Sequence, residues 1–194
     1  MKKFNKVIES YKDNKGAKKL RFYCAEEAFK TLGKDNKTTT NIYNSDIYSW
    51  QVIQVQNPED IFLIFLNDNS GIVFILYYND ESKIDINRSV LTEAIFRIMK
   101  DMQYPLALIS LYLNHPWEVH VSSRYRYEHM EAMSDMLTQF KEEFISNIDR
   151  ELLIQRKISF ILNNRHIDNW NGYYEYRRAC KIMEDKIKKC YKEQ

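Results

Sequence analysis

The chain has 194 residues, of which 44% are hydrophobic and 14% aromatic, with fourteen Tyr and ten Phe. That is enough apolar material for one packed core, and too much for a disordered chain. Four Gly and three Pro disfavour propellers, sandwiches and turn-rich barrels, and favour long helices with a modest sheet. Twenty-nine basic against twenty-seven acidic side chains leave a formal charge of +2, too small for a strong global field toward nucleic acid.

That small surplus is unevenly spread. Lys2, Lys3, Lys6, Lys12, Lys15, Lys18, Lys19 and Arg21 make the amino end basic, and Arg177, Arg178, Lys181, Lys186, Lys188, Lys189 and Lys192 do so at the carboxyl end. Such runs are ordinarily a solvated surface, with weak nonspecific nucleic-acid binding as the alternative. Cys24, Cys180 and Cys190 lack the spacing of a zinc or redox pair and read as reduced thiols, so neither metal nor cofactor is expected. No leader-like or bilayer-length apolar run is seen, and a cytoplasmic protein without membrane contact is expected.

Residues 1–19 read as a basic arm or short helix. Order begins at 20–24, a short alternating strand, followed by helix-forming residues 25–32 that stop at Gly33. Residues 34–44, with Asp, Asn, Lys and three consecutive Thr, develop neither period and read as an exposed loop. Three strands follow at 47–55, 61–66 and 71–78, separated by polar turns at 57–60 and 67–71, which makes an antiparallel meander. The run 61–66 is apolar at every position, as a strand covered on both faces requires, whereas the strand carrying Trp50, Val52 and Ile53 is more mixed and reads as partly exposed.

From 85 to 102 the period lengthens to about 3.6, with Asp85 or Asn87 placed to cap a helix that ends before Tyr104-Pro105. Residues 106–113 are short and apolar and fit a strand or a helix equally well. Residues 117–123 alternate as a half-buried, edge-like strand with Glu118, His120 and Ser122 on its polar face. Amphipathic spacing then predicts helices over 128–147, 148–161 and 173–192. The sum is an α+β fold, a mostly antiparallel sheet packed against several amphipathic helices in a single domain, with a core at 20–171 and a basic helix at 172–194.

Two polar clusters stand out. Around 163–172 the chain is dense in Asn and Asp, a composition that a structured turn explains, although Arg165 suits a carboxylate or phosphate and His166 with Asp168 suits proton transfer. Between His115 and His129 the set Glu118, His120, Arg124 and His129 combines an acid-base pair with a cation for phosphate charge, the inventory of a metal-independent ribonuclease. A surface pair is the simpler explanation of Glu118 and His120. Cys24 and Trp50 read as core fillers, and the Met-rich stretch near Met133 as packing.

Four stretches carry a likeness to a known family. They are Leu20-Arg21-Phe22-Tyr23-Cys24 with the helix after it, Ser49-Trp50-Gln51-Val52, the apolar strand Phe62-Leu63-Ile64-Phe65-Leu66-Asn67, and in part Asn164-Arg165-His166-Ile167-Asp168-Asn169-Trp170-Asn171. Over about residues 20–171 the chain resembles a bacterial α+β domain family of unknown function. The resemblance implies a compact α+β domain and brings no activity with it.

Two functions fit these residues. The first is a noncatalytic interaction or regulatory protein, in a bacterial or mobile-element context, that binds a protein partner. Its contact residues would be Tyr125, Tyr127, Arg165, His166, Trp170, Tyr173 and Tyr174, because rigid rings bury area at small entropic cost. The second is an RNA-binding protein or ribonuclease built on the His120 cluster.

Overall fold

The computed structural model describes residues 19–24, 28, 30, 32, 37–39, 46–56, 60–79, 86–121, 146–163 and 184–189. Six strands form one sheet: β1 (Leu20–Cys24), β2 (Lys37–Thr39), β3 (Ser49–Gln56), β4 (Ile61–Asn67), β5 (Val73–Tyr78) and β6 (Trp117–Val121), in the spatial order β2-β6-β1-β3-β4-β5. The two longest ladders, β3 with β4 and β4 with β5, are antiparallel and form the meander. β1 is parallel to both β3 and β6, and β2 is parallel to β6. The protein is therefore a single α+β domain with a mixed sheet.

Asn67 shows how local chemistry sets the meander. Its Oδ1 accepts from the amides of Asn69 and Ser70 and from the Ser70 hydroxyl, closing the turn into β5. Its Nδ2 donates to the carbonyls of Ile47 and Ser49, tying that turn to the start of β3. Gly71 takes a φ of +73°, a backbone that costs a residue without Cβ little.

Three helices are described in full: α1 (Arg88–Asp101), α2 (Leu106–Leu113) and α3 (Arg156–Asn163). Asn87 caps α1, its side chain accepting from the amides of Ser89 and Val90. The helix stops at Met102, Gln103 turns with a φ of 63°, and Pro105 opens α2. One sheet face packs Phe22, Trp50, Val52, Leu63, Phe65 and Phe74 against Leu91, Ile95, Ile98 and Met99 of α1 and Ile109 and Tyr112 of α2. The opposite face of β3, β4 and β5 packs Ile53, Phe62, Ile64, Val73 and Ile75 against Ile158 and Leu162 of α3. β4, covered on both sides, has no residue more than 7% exposed among Ile61–Leu66.

Several expectations are corrected. The loop expected over 34–44 contains β2, whose three residues pair with a strand distant in sequence, so no local period marks it. Strand 117–123 is no edge: β6 lies between β2 and β1, and His120 is buried. β3 is buried from Ser49 through Ile53, because β1 and β4 flank it. Residues 106–113 resolve to a helix.

The helix expected over 148–161 begins only at Arg156. Before it, Gln155 holds a turn, donating from Nε2 to the Asp149 carbonyl while its Oε1 accepts from the Asp149 amide, and residues 153–155 run beside β5. Of the expected helix over 25–32, Ala28 and Lys30 are helical; of that over 173–192, residues 184–189 are helical, with Ile187 fully buried. Most of the expected helix over 128–147 and the amino-terminal arm lie outside the described residues.

Candidate functional site

Alternation along β1, β6 and β3 sends one set of side chains into the helix-packed core and the other to the opposite face. On β1 the second set is Arg21 and Tyr23; the register puts Arg21 beside Glu118 and Ser49, and Tyr23 beside His120 and Gln51. The result is a polar layer beside the apolar one that α3 covers. It is not a solvated surface: Tyr23, Gln51, Ser49 and His120 are buried, with His120 only 7% exposed.

Charges in this layer are paired along the sheet. Lys19 contacts Glu118, whose other oxygen lies 3.4 Å from His120 Nε2. Arg21 pairs with Asp46 and donates from Nη2 to Ser49 Oγ at 3.1 Å. Asp46 in turn accepts from the Tyr48 amide and the Ser49 hydroxyl, so the turn entering β3 fixes the carboxylate that holds Arg21. Beneath His120, the Cys24 thiol donates to its carbonyl at 3.4 Å.

Burial lowers the His120 pKa below its ordinary 6.5; Glu118 opposes that shift, and Arg21 and Lys19 reinforce it. His120 is therefore a neutral imidazole at pH 7. A neutral imidazole next to a carboxylate is competent to move a proton, and such a perturbed group in a polar layer is a signature of functional sites, although structural pairs share it.

Of the residues singled out from sequence, the structure brings Glu118 and His120 together. Arg124 and His129 lie outside the described residues, as do Tyr125, Tyr127, Arg165, His166, Trp170, Tyr173 and Tyr174. Sequence reasoning missed Lys19, Arg21, Tyr23, Ser49 and Gln51 as companions of His120. The alternation of Leu20–Cys24 already separated Arg21 and Tyr23 from Leu20, Phe22 and Cys24; only the parallel pairing that brings them to His120 was out of reach.

Residues 21–179 match the model of a domain of unknown function, DUF6933. The chain belongs to the DUF6933 family. The family span takes in the polar layer from Arg21 to His120 and α1, α2 and α3. No curated protein matches the chain. Among the described residues no group of His, Cys, Asp and Glu is placed to hold a metal ion, and no helix is long and apolar enough to cross a membrane.

A second feature lies on the face of the sheet opposite α3, where α1 packs. Ser89, Val90, Glu93 and Arg97 of α1 and Leu152, Leu153 and Ile154 line an open groove of about 300 Å³. Its floor is aliphatic, and Glu93 and Arg97 pair at its rim at 2.6 Å. Leu152 is 50% exposed there, and Phe160 and Leu106 are also prominent at the surface.

Proposed function

We propose that this chain is a noncatalytic binding or regulatory protein that docks a protein partner. The observation that supports it best is the groove along α1, where the half-exposed Leu152 and neighbouring aliphatic side chains sit beside a charged rim, the arrangement of an interface core and its border. The aromatic residues around Trp170 supply a second contact element in this reading. Weak, salt-sensitive nucleic-acid binding through the basic ends would accompany it without specificity.

The experiment is capture from host lysate with wild type, Leu152→Asp and Trp170→Ala, with circular dichroism showing that each variant is folded. A stoichiometric partner lost with either variant supports the proposal. One observation favours a second reading, a metal-independent ribonuclease: the contact between Glu118 and a neutral His120. RNA cleavage abolished by His120→Gln, with no stoichiometric partner recovered, would replace the binding reading with that one.

A further inference from the structure

β5 is the last strand of the sheet, and its outward backbone groups are occupied by something other than a strand. Asn163 Oδ1 accepts from the Val73 amide at 2.8 Å, and Asn163 Nδ2 donates to the Val73 carbonyl at 2.7 Å. One turn earlier on α3, Ser159 Oγ accepts from the Ile75 amide at 3.0 Å. The chain before the helix completes the row: the Gln155 amide donates to the Ile75 carbonyl, and the Leu153 carbonyl accepts from the Tyr77 amide.

These side chains are committed to that position. The Ser159 hydroxyl donates to the Gln155 carbonyl at 2.6 Å, and Asn163 Nδ2 also donates to the Ser159 carbonyl at 2.8 Å. Both are nearly inaccessible, Ser159 at 0% and Asn163 at 8%. Spacing by four residues aims two polar side chains along one helix face, and Asn163 meets Val73 with the two bonds that a residue of a neighbouring strand would make.

We propose that Ser159 and Asn163 form an edge clasp, and that what it excludes is β5 of a second copy of this chain. β5 itself argues for that occupant. It is six residues long with no charged side chain, and its outward donors and acceptors recur at Val73, Ile75 and Tyr77. Antiparallel pairing of two such edges about a two-fold axis at Val73 satisfies the groups the clasp holds, the Val73 amide and carbonyl and the Ile75 amide, while the Leu153 and Gln155 backbone keeps the Tyr77 amide and the Ile75 carbonyl.

The test compares wild type, Ser159→Ala, the Ser159→Ala/Asn163→Ala double variant and Leu162→Ala by sedimentation velocity over a dilution series and by amide exchange. Leu162 packs from the same helix turn without bonding β5, so its variant separates loss of stability from loss of the clasp. When dilute, the Ile75 amide of Ser159→Ala should exchange roughly tenfold faster, the loss of one net hydrogen bond. The double variant should extend this to Val73, then dimerise as concentration rises, with both amides protected again. Leu162→Ala should sediment as wild type.

A folded double variant that sediments as wild type at every concentration overturns the proposal, as does equal association by Leu162→Ala. Should the double variant not fold, Ser159→Ala carries both readouts, and either unchanged Ile75 exchange or sedimentation as wild type at every concentration overturns it.

Discussion

Tyr23 lies nearly flat against His120, their ring centroids 5.2 Å apart and their planes 21° from parallel, across the ladder that joins β1 to β6. The stack removes the imidazole from water on one side while Glu118 remains within reach of Nε2. The layer therefore keeps its histidine neutral, and stability should report that.

His120 titrates below 6.5 in the native protein because it is buried, whereas in the unfolded chain it regains the ordinary value. Its contribution is complete above pH 6.5. As pH falls from there the unfolded state takes up the proton first, and stability is lost down through the native pKa. Urea midpoints measured between pH 7.5 and 5 should fall with pH, and His120→Gln should flatten that slope. An identical slope in the variant would remove His120 as its source.

A different pH window belongs to Asp60 at the start of β4. Arg150 donates to both its oxygens, at 3.3 and 3.2 Å, and Tyr77 donates its hydroxyl at 2.9 Å. The bonds from Arg150 lower the carboxyl pKa below its ordinary 3.8, against the opposing effect of burial. The ionised form therefore stabilises the fold fully above pH 3.8, and that share is lost as pH falls below it toward the native value. Acid unfolding of Asp60→Asn should lack this component, and high salt should shrink it in wild type, because the Arg150 side chain that holds Asp60 is 60% exposed. Coincident acid limbs for wild type and Asp60→Asn would count against the assignment.

β4 should be among the slowest regions to exchange, with Ile61–Leu66 interior to the sheet and buried on both faces. Phe65 stacks on Phe74 at 4.2 Å and meets Phe22 edge-on at 6.0 Å. Truncating a fully buried ring removes its transfer energy and leaves a cavity, so Phe65→Ala should cost about 3 to 5 kcal/mol in denaturant unfolding. Fast exchange across all six amides would reject the account of β4.

The contrast between β4 and β6 shows what the sequence disclosed. Six consecutive apolar residues can be accommodated only under cover, so burial of β4 followed from composition, and the turns rich in Asn and Asp fixed its antiparallel neighbours. Asn87 announced the start of α1 in the same local way. His120 was legible as a partner of Glu118 through alternation, but not as a buried residue, because what buries it is parallel pairing with segments far away in the chain. The same holds for residues 148–155: their apolar residues fit a helical period, and hydrogen bonds to β5 and within the Gln155 turn overrode it. Long-range pairing leaves no local period to read.

Tyr112 joins α2 to the sheet. Its hydroxyl donates to the Ile47 carbonyl at 2.6 Å and accepts from Trp50 Nε1 at 3.0 Å, while its ring stacks on Tyr48 at 5.4 Å and 12°. Tyr112→Phe keeps the ring and nearly all of its volume, so no cavity arises and the stack survives. What it removes is one oxygen that serves two buried groups, and the indole N–H has no route to water because Trp50 is 1% exposed. Leaving a buried donor or acceptor unsatisfied costs about 1 to 3 kcal/mol, so this variant should be destabilised by that order, less than Phe65→Ala. Denaturant midpoints should rank wild type, Tyr112→Phe and Phe65→Ala in that order at equal m-values, since each folds to the same surface. A Tyr112→Phe protein as stable as wild type would show that the shared hydroxyl contributes nothing net and that the stacked ring alone fastens α2 to the start of β3.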